Sequence, residues 1–388
     1  MRQLLNGNEA AAMAARLARV EVLASYPITP AAPAMEQIVR FIAEGKLKAK
    51  FIRVESDHSA LAAAVGAALA GARPLVITNS QGLAYMSEVL YHASGLRLPI
   101  VMAVVNRGLA APHTRFPDHG DAIAQEASGW VQLFCENNQE VLDTLIQAYR
   151  LAEDDRVRLP VMVHYESYIQ SHTREVVEVP SEEAIDRFLP LYRRPALDVD
   201  NPQAVNVVTG PDLYMDYKHQ QDKALQGSRE VLREIDLAYA GLTGRAWGGT
   251  LGVYRLDGAE YIFVTMGSLA STCREAVDML REGGLPVGLL KIRSFRPFPR
   301  EEVRSLLRDA RAAIVLDKNI VYGSGGALAR EVRASLYGLA RGPFVYSYIA
   351  GLGGRDVTSE DAVRIYKMVE EKVKANLEPL PYEWYGIE

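Results

Sequence analysis

Short β-branched runs alternate with helical patterns along most of this chain, and that alternation constrains its fold more than any other feature. In the first half the runs are Phe51–Val54, Pro74–Thr78, Ile100–Val105 and Val161–His164, with helical patterns at Ser59–Gly71 and Gln139–Ala152 between them. Apolar strands joined through helices need crossover connections, so they assemble into a mostly parallel sheet covered on both faces. A second set begins near Glu260, with expected strands Tyr261–Thr265, Val287–Lys291, Ala312–Leu316 and Phe344–Tyr348 and expected helices Ser271–Glu282 and Arg300–Ala310. Between the two sets the pattern breaks. FLPLYRRPALDVDNPQAVNVVTGPD is proline-rich without a helical period and reads as an ordered connection, followed by a helix at Lys223–Tyr239 and a turn-rich loop, GLTGRAWGG. The expectation is an α/β protein with two doubly wound, mostly parallel domains, 1–178 and 256–388, joined by a linker over 179–255.

Length and charge narrow the function classes. At about 150 residues per domain, 388 residues hold two or three domains. A net charge of -5 argues against a general nucleic-acid binder, which would carry a basic stripe. No uninterrupted apolar run reaches the ~18 residues of a membrane span, so no membrane partner is expected. The first residues, MRQLLNGNEAAAMAARLARV, lack a signal peptide's continuous apolar core and read as an amphipathic helix that is retained. Cys135 and Cys273 stand alone, without the CxxC spacing of a cluster or zinc site. They read as buried apolar groups in a cytoplasmic protein, and any redox centre belongs on another chain.

Three segments carry candidate chemistry. In YPITPAAPAMEQI (26–38), Pro27 and Pro30 fix their own φ angles and push Tyr26 and Thr29 out of the helical region. Ile28 and Thr29 are thereby held in a stiff turn, and a helix starting near Pro33 aims its N–H groups at the same loop, which suits a carboxylate. The competing reading makes Thr29 an ordinary helix cap. In RVESDHSALAAAVGAALAGARP (53–74), Glu55 ends a strand before a helix of small residues expected to be buried on all faces. A glutamate there would be desolvated and its pKa raised, or it would simply pair with Arg53. In NRGLAAPHTRFPDHGD (106–121), Arg107 sits at the carboxyl end of a strand, where α/β sheets place functional groups, and a guanidinium grips a carboxylate with two bonds. A metal site from His113, Asp118, His119 and Asp121 is disfavoured because a third histidine at usable spacing is lacking, so no metal is assigned. No G-x-G-x-x-G follows the first strand and no GxxxxGK[ST] occurs. The glycine runs at 322–328 and 350–358 read either as anion cradles or as strand-end turns.

Together YPITP, ESDHSA, NRGLAAP with DHGD, MGS, LLKIRSFRPFP, DKNIVYGSGG and IAGLGGRDVT resemble the α subunit of 2-oxoacid:ferredoxin oxidoreductases, the pyruvate-type subunit best of all. The resemblance weakens over 195–255. It implies a thiamine-diphosphate pyrimidine-binding domain followed by a domain like the C-terminal one of transketolase. It also implies that the cofactor is shared with a β subunit holding the diphosphate and Mg2+ through a GDG motif, which this chain lacks. [4Fe-4S] clusters would lie on β and on γ- or δ-type subunits, coenzyme A would accept the acyl group, and ferredoxin or an NAD-linked subunit would take the electrons. By the same carry-over Glu55 hydrogen-bonds N1′ of the aminopyrimidine and favours the tautomer that takes the C2 proton. Ile28 belongs to the cofactor site, and Thr29 and Arg107 hold the substrate's carboxylate and keto oxygen. The activity implied is CoA-dependent oxidative decarboxylation of a 2-oxoacid, active only in the complex; the alternative is a non-catalytic assembly subunit. Departures at Gly108, Ala110, His113, Arg115 and Glu166 would reshape the pocket for a bulkier acid such as phenylglyoxylate, or they are loop drift. The 2-oxoglutarate branch is disfavoured because its GPSTG-like segment is absent after residue 104.

Overall fold

The computed structural model describes residues 1–110, 112–192, 197–198, 200–202 and 204–387. Among these residues the chain forms two large sheets and one two-stranded ladder. The first sheet runs Ser294–Arg296, Val131–Phe134, Val161–Glu166, Val101–Asn106, Pro74–Thr78, Val22–Ser25 and Lys50–Arg53. Only its first pairing is antiparallel. The second runs Glu383–Trp384, Phe344–Ile349, Ala312–Asp317, Tyr261–Thr265, Val287–Ile292 and Leu251–Tyr254, antiparallel only at that last edge. Two mostly parallel α/β sheets are what the alternation of strand and helix implied.

Strand periodicity explains the layering. Leu23, Leu75, Ile77 and Ala103 pack toward the helices Gly7–Leu17, Ala32–Ala43 and Asn138–Glu153. Their neighbours Ala24, Val76, Met102 and Val104 pack toward Asp57–Leu69 and Ser87–Gly95. Side chains two apart share a face, so both faces of the central strands are apolar and covered. Each fully buried Val, Leu or Ile contributes roughly 1.5–3 kcal/mol.

Several elements differ from expectation. The first residues form a strand, Arg2–Leu5, paired antiparallel with Glu175–Glu178, and the helix starts only at Gly7, where Asn6 closes a capping box with Glu9. The expected helix Lys223–Tyr239 is the middle of one running Pro211–Thr243. Its opening residues, Leu213, Tyr214, Met215 and Tyr217 among them, are exposed, and the buried positions begin only at Ala224, so periodicity shows only the part that packs. Part of the proline-rich connection at 188–212 lies outside the described residues.

The two sheets are interleaved in sequence. Ser294–Arg296, from the second half, completes the first sheet's edge, and Leu251–Tyr254, inside 179–255, edges the second. Buried charges join them: Lys291 Nζ lies 2.7 Å from Glu140 and 2.9 Å from Glu136, and Lys318 Nζ 2.5 Å from Glu166. Among the described residues no helix is long and apolar enough to cross a membrane.

The helix Asp57–Leu69 is the largest departure. It was expected to be buried all round, yet Ala62 and Gly66 are exposed. It flanks Lys50–Arg53, the sheet's outer strand, which is itself mostly exposed. An edge element has neighbours on fewer sides, which a composition of small residues cannot reveal.

Candidate active site

The carboxyl ends of the parallel strands gather the candidate residues. Thr29 follows Val22–Ser25, Glu55 follows Lys50–Arg53, the segment Asn79–Gln81 follows Pro74–Thr78, and Arg107 follows Val101–Asn106. These strands are neighbours, so their C-terminal loops form one rim of the sheet.

The proline loop is tied down from beneath. Asn8 Nδ2, on the helix Gly7–Leu17, donates to Pro30 O at 3.0 Å, and Ile28 O accepts from Ala31 and Ala32 N–H, both at 2.9 Å. Ile28 packs half-buried against the core, while Thr29 is exposed. Thr29 does not cap the following helix: Ala31 occupies that position and no side chain bonds there.

Arg107 bridges to this loop. Its Nη1 donates to Thr29 O and its Nη2 to Gln81 Oε1 at 2.7 Å. Both acceptors are neutral. Burial pulls the guanidinium below its ordinary pKa, and the field of Asp121 opposes that shift. Sequence reasoning placed Thr29 and Arg107 together and missed Gln81, whose signal was its position just past the carboxyl end of a strand.

Glu55 corrects an expectation. It was expected to be desolvated with a raised pKa, but it is fully exposed, and the Ser59 hydroxyl bonded to it holds it below the ordinary carboxylate value. Arg53 is exposed as well, and the side chain bonded to the Glu55 carboxylate is Ser59. The buried acid of this segment is Asp57, which accepts from Thr78 Oγ1 at 2.7 Å and whose pKa burial raises. The physical reason is the edge position: the strand ends in a rim that no described residue covers.

The loop 106–121 separates by role. His119 is buried and its Nε2 lies 3.0 Å from Glu166 Oε1, whereas His113 and Arg115 are exposed. Asp121 is buried and accepts N–H bonds from the backbone of Ser80 and Arg107. Of the four residues weighed as metal ligands, His119 and Asp121 thus face different partners and His113 faces solvent, and among the described residues no three His, Cys, Asp or Glu side chains converge to hold a metal ion. Gly108 does not open space: a Cβ there would stand 2.5 Å from Thr114 Cγ2, so the loop fills that volume itself. Glu166 is no pocket wall either. It is buried among Lys318, His119 and Ser268, whose Oγ donates to it at 2.7 Å, and it joins the two sheets.

Comparison with known proteins agrees over the whole chain. Residues 13–236 match the family model described as pyruvate flavodoxin/ferredoxin oxidoreductase, thiamine diphosphate-binding, and residues 259–362 match pyruvate:ferredoxin oxidoreductase core domain II. The pyruvate synthase subunit PorA of Methanothermobacter thermautotrophicus is 45% identical, covering 99% of this chain and 98% of its own. The ketoisovalerate oxidoreductase subunit VorA of Pyrococcus horikoshii is 40% identical, covering 100% of this chain and 98% of its own. In fold, the chain resembles the 2-oxoglutarate:ferredoxin oxidoreductase of Magnetococcus marinus at a TM-score of 0.74 and 18% identity, covering 96% of this chain and 65% of that one. A split-gene transketolase follows at 0.58 and 15% identity, covering 94% of this chain and 97% of that one.

Proposed function

The chain belongs to the pyruvate flavodoxin/ferredoxin oxidoreductase family, and from that premise we propose that it is the α-type subunit carrying the aminopyrimidine half of a thiamine-diphosphate site. The observation that carries this reading is the state of Arg107, a half-buried cation gripped by two neutral oxygens beside an exposed threonine. Such a cation keeps its charge for an incoming carboxylate. In this reading Arg107 and Thr29 hold the 2-oxoacid, and Ile28 lines the cofactor's pyrimidine side.

The residues fit the cofactor. Glu55 is an accessible carboxylate anchored by the Ser59 hydroxyl on the helix that follows it, which suits a bond to a protonated ring nitrogen. When bound, thiamine diphosphate supplies the carbon nucleophile and electron sink that decarboxylation of a 2-oxoacid needs. Glu55 then holds or returns a proton at N1′ of the aminopyrimidine. A covering subunit would exclude water and desolvate Glu55, moving its pKa upward from its value in the exposed chain.

Diphosphate, Mg2+ and iron–sulfur clusters are assigned to β-, γ- and δ-type partners. The chain has no GDG motif, and its two cysteines are buried thiols whose pKa values burial raises, Cys273 to about 12. The first sheet, with residues 1–178, the helix Pro211–Thr243 and the strand Ser294–Arg296, would form the pyrimidine-binding domain, and the second sheet, which takes Leu251–Tyr254 as its edge, the transketolase C-terminal-like domain. Coenzyme A would be the acyl acceptor and ferredoxin, or an NAD-linked subunit, the electron acceptor. Pyruvate is the favoured substrate class, supported by the pyruvate synthase relatives and by the filled space at Gly108. The test is dye reduction by the complex co-purified through this chain, with coenzyme A and either pyruvate, 2-oxoisovalerate, 2-oxoglutarate or phenylglyoxylate. Preference for pyruvate supports the reading. Preference for phenylglyoxylate would make loop 108–117 a specificity element, and activity with none would favour an assembly subunit.

A further inference from the structure

One buried carboxylate, weighed in the sequence only as a metal ligand, is bonded to the backbone of Arg107. Asp121 is buried, and each of its oxygens takes two N–H groups. Oδ2 accepts from Ser80 N at 2.9 Å and Arg107 N at 3.1 Å, while Oδ1 accepts from Asn106 Nδ2 at 2.7 Å and Ala122 N at 2.8 Å. All the acceptor sites of a carboxylate are thereby used, which neither a hydroxyl nor a carboxamide in one orientation matches.

The donors to Oδ2 come from the segments that hold the two ends of Arg107. Its backbone N–H is the donor to Oδ2, so Asp121 fixes the point from which the side chain springs. Ser80 shares that oxygen and stands directly before Gln81, whose amide oxygen receives the guanidinium. Ser80 has φ of 45°, a left-handed conformation that costs a non-glycine residue on the order of 1–3 kcal/mol and persists only when its surroundings enforce it. The Ser80 hydroxyl reaches Gly108 O at 2.7 Å, closing the ring between the two loops.

We propose that Asp121 is a positioning residue, which sets the pose of Arg107 for the 2-oxoacid by clamping the loops after Pro74–Thr78 and Val101–Asn106 to one another. This rests on the reading of Arg107 as the carboxylate grip. Electrostatics act in the same direction. Asp121 raises the pKa of Arg107 against burial, and burial pushes Asp121 itself up to about 6, with the bonds from Asn106, Arg107 and Ser80 opposing. The charge of Asp118 adds to the upward push.

The test uses the whole complex and four variants: Arg107→Ala, Asp121→Ala, the double variant, and Asp121→Asn. Asp121→Ala should raise the 2-oxoacid KM on the order of ten- to a hundredfold, the cost of a misplaced binding group, with the thiamine diphosphate activation constant unchanged. In the Arg107→Ala background the same change should add less than about twofold, because residues acting through one another are not additive. Asp121→Asn keeps one oxygen for Ser80 and Arg107, and Asn106, whose own Oδ1 lacks a partner, can turn to accept from the new amide. It should fold and show a KM between wild type and Asp121→Ala; should Asp121→Ala fail to fold, a raised KM in this variant at an unchanged thiamine diphosphate constant carries the proposal. Full additivity in the double variant overturns it, as does an equal loss of thiamine diphosphate affinity, since either marks a merely structural carboxylate. An unchanged KM in Arg107→Ala itself overturns the reading beneath the proposal, and the proposal with it.

Discussion

Arg107 stays available because the groups that hold it are neutral. A guanidinium presents a planar fork, and here its two arms reach the Thr29 carbonyl and the Gln81 amide at once. A lysine ammonium is a compact point charge on a flexible stem and cannot span both acceptors. Arg107→Lys is therefore expected to raise the 2-oxoacid KM by about tenfold while retaining charge, equivalent to roughly 1.4 kcal/mol; a KM within error of wild type in steady-state assays would remove the fork from the argument. Glu55 makes a complementary case. Its neutral analogue cannot hold and return a proton, so Glu55→Gln should abolish turnover in a complex that still assembles, as judged by size-exclusion chromatography. Near-normal oxidation by that variant would take Glu55 out of the cofactor role.

Between elements, the cluster of Glu166 with Lys318, His119 and Ser268 joins the strand Val161–Glu166 to the second sheet. Burial alone would raise the Glu166 pKa, but Lys318 and the hydrogen bonds outweigh it and hold the carboxyl well below its ordinary range. A carboxylate with a depressed folded-state pKa contributes stability above its unfolded value and loses it as pH falls through the folded one. Glu166→Ala leaves the Lys318 ammonium buried without its partner, a loss of about 3–5 kcal/mol. Urea unfolding at pH 7 should show that loss, and the gap between wild type and variant should narrow as pH falls below about 4.5, the ordinary glutamate range. A gap independent of pH would mean the loss is one of packing. This element also marks where sequence stops informing. The central strands were legible because runs such as Pro74–Thr78 and Tyr261–Thr265 are apolar on both faces, and the structure keeps those bounds. Arg107 beside Thr29 was legible through strand-end position and resemblance. Glu166, weighed either as a pocket change or as loop drift, gave no sign of its link to the second sheet because its cation lies 152 positions away. The roles of Gln81 and Asp121 were hidden in a similar way: the guanidinium that Gln81 accepts lies 26 positions on, and Asp121, weighed only as a metal ligand, is engaged by backbone N–H groups of Ser80 and Arg107, which carry no side-chain signature.

At the scale of the molecule, the rim is open on the side of Glu55. The outer strand Lys50–Arg53 is mostly exposed, the helix beside it shows Ala62 and Gly66 to solvent, and nothing lies within 4 Å of where a Gly66 Cβ would be. On the proposed reading, what this chain alone would offer the aminopyrimidine is one hydrogen bond in water, from Glu55, beside the half-buried Ile28. Such a bond nets about 0.5–1.5 kcal/mol, whereas even a millimolar Kd needs about 4 kcal/mol. Cofactor sites usually bury most of the ligand's surface, so the missing walls must come from elsewhere. The isolated chain should accordingly show no thiamine diphosphate binding by calorimetry at micromolar protein, with or without Mg2+, while the co-purified complex binds it. The relatives' designation as subunits agrees with that division of the site. Micromolar binding by the isolated chain, retained in Glu55→Gln, would place the cofactor in a cavity away from this rim. The open edge would then have to be explained by assembly alone, and Glu55 would be exposed for a reason other than catalysis.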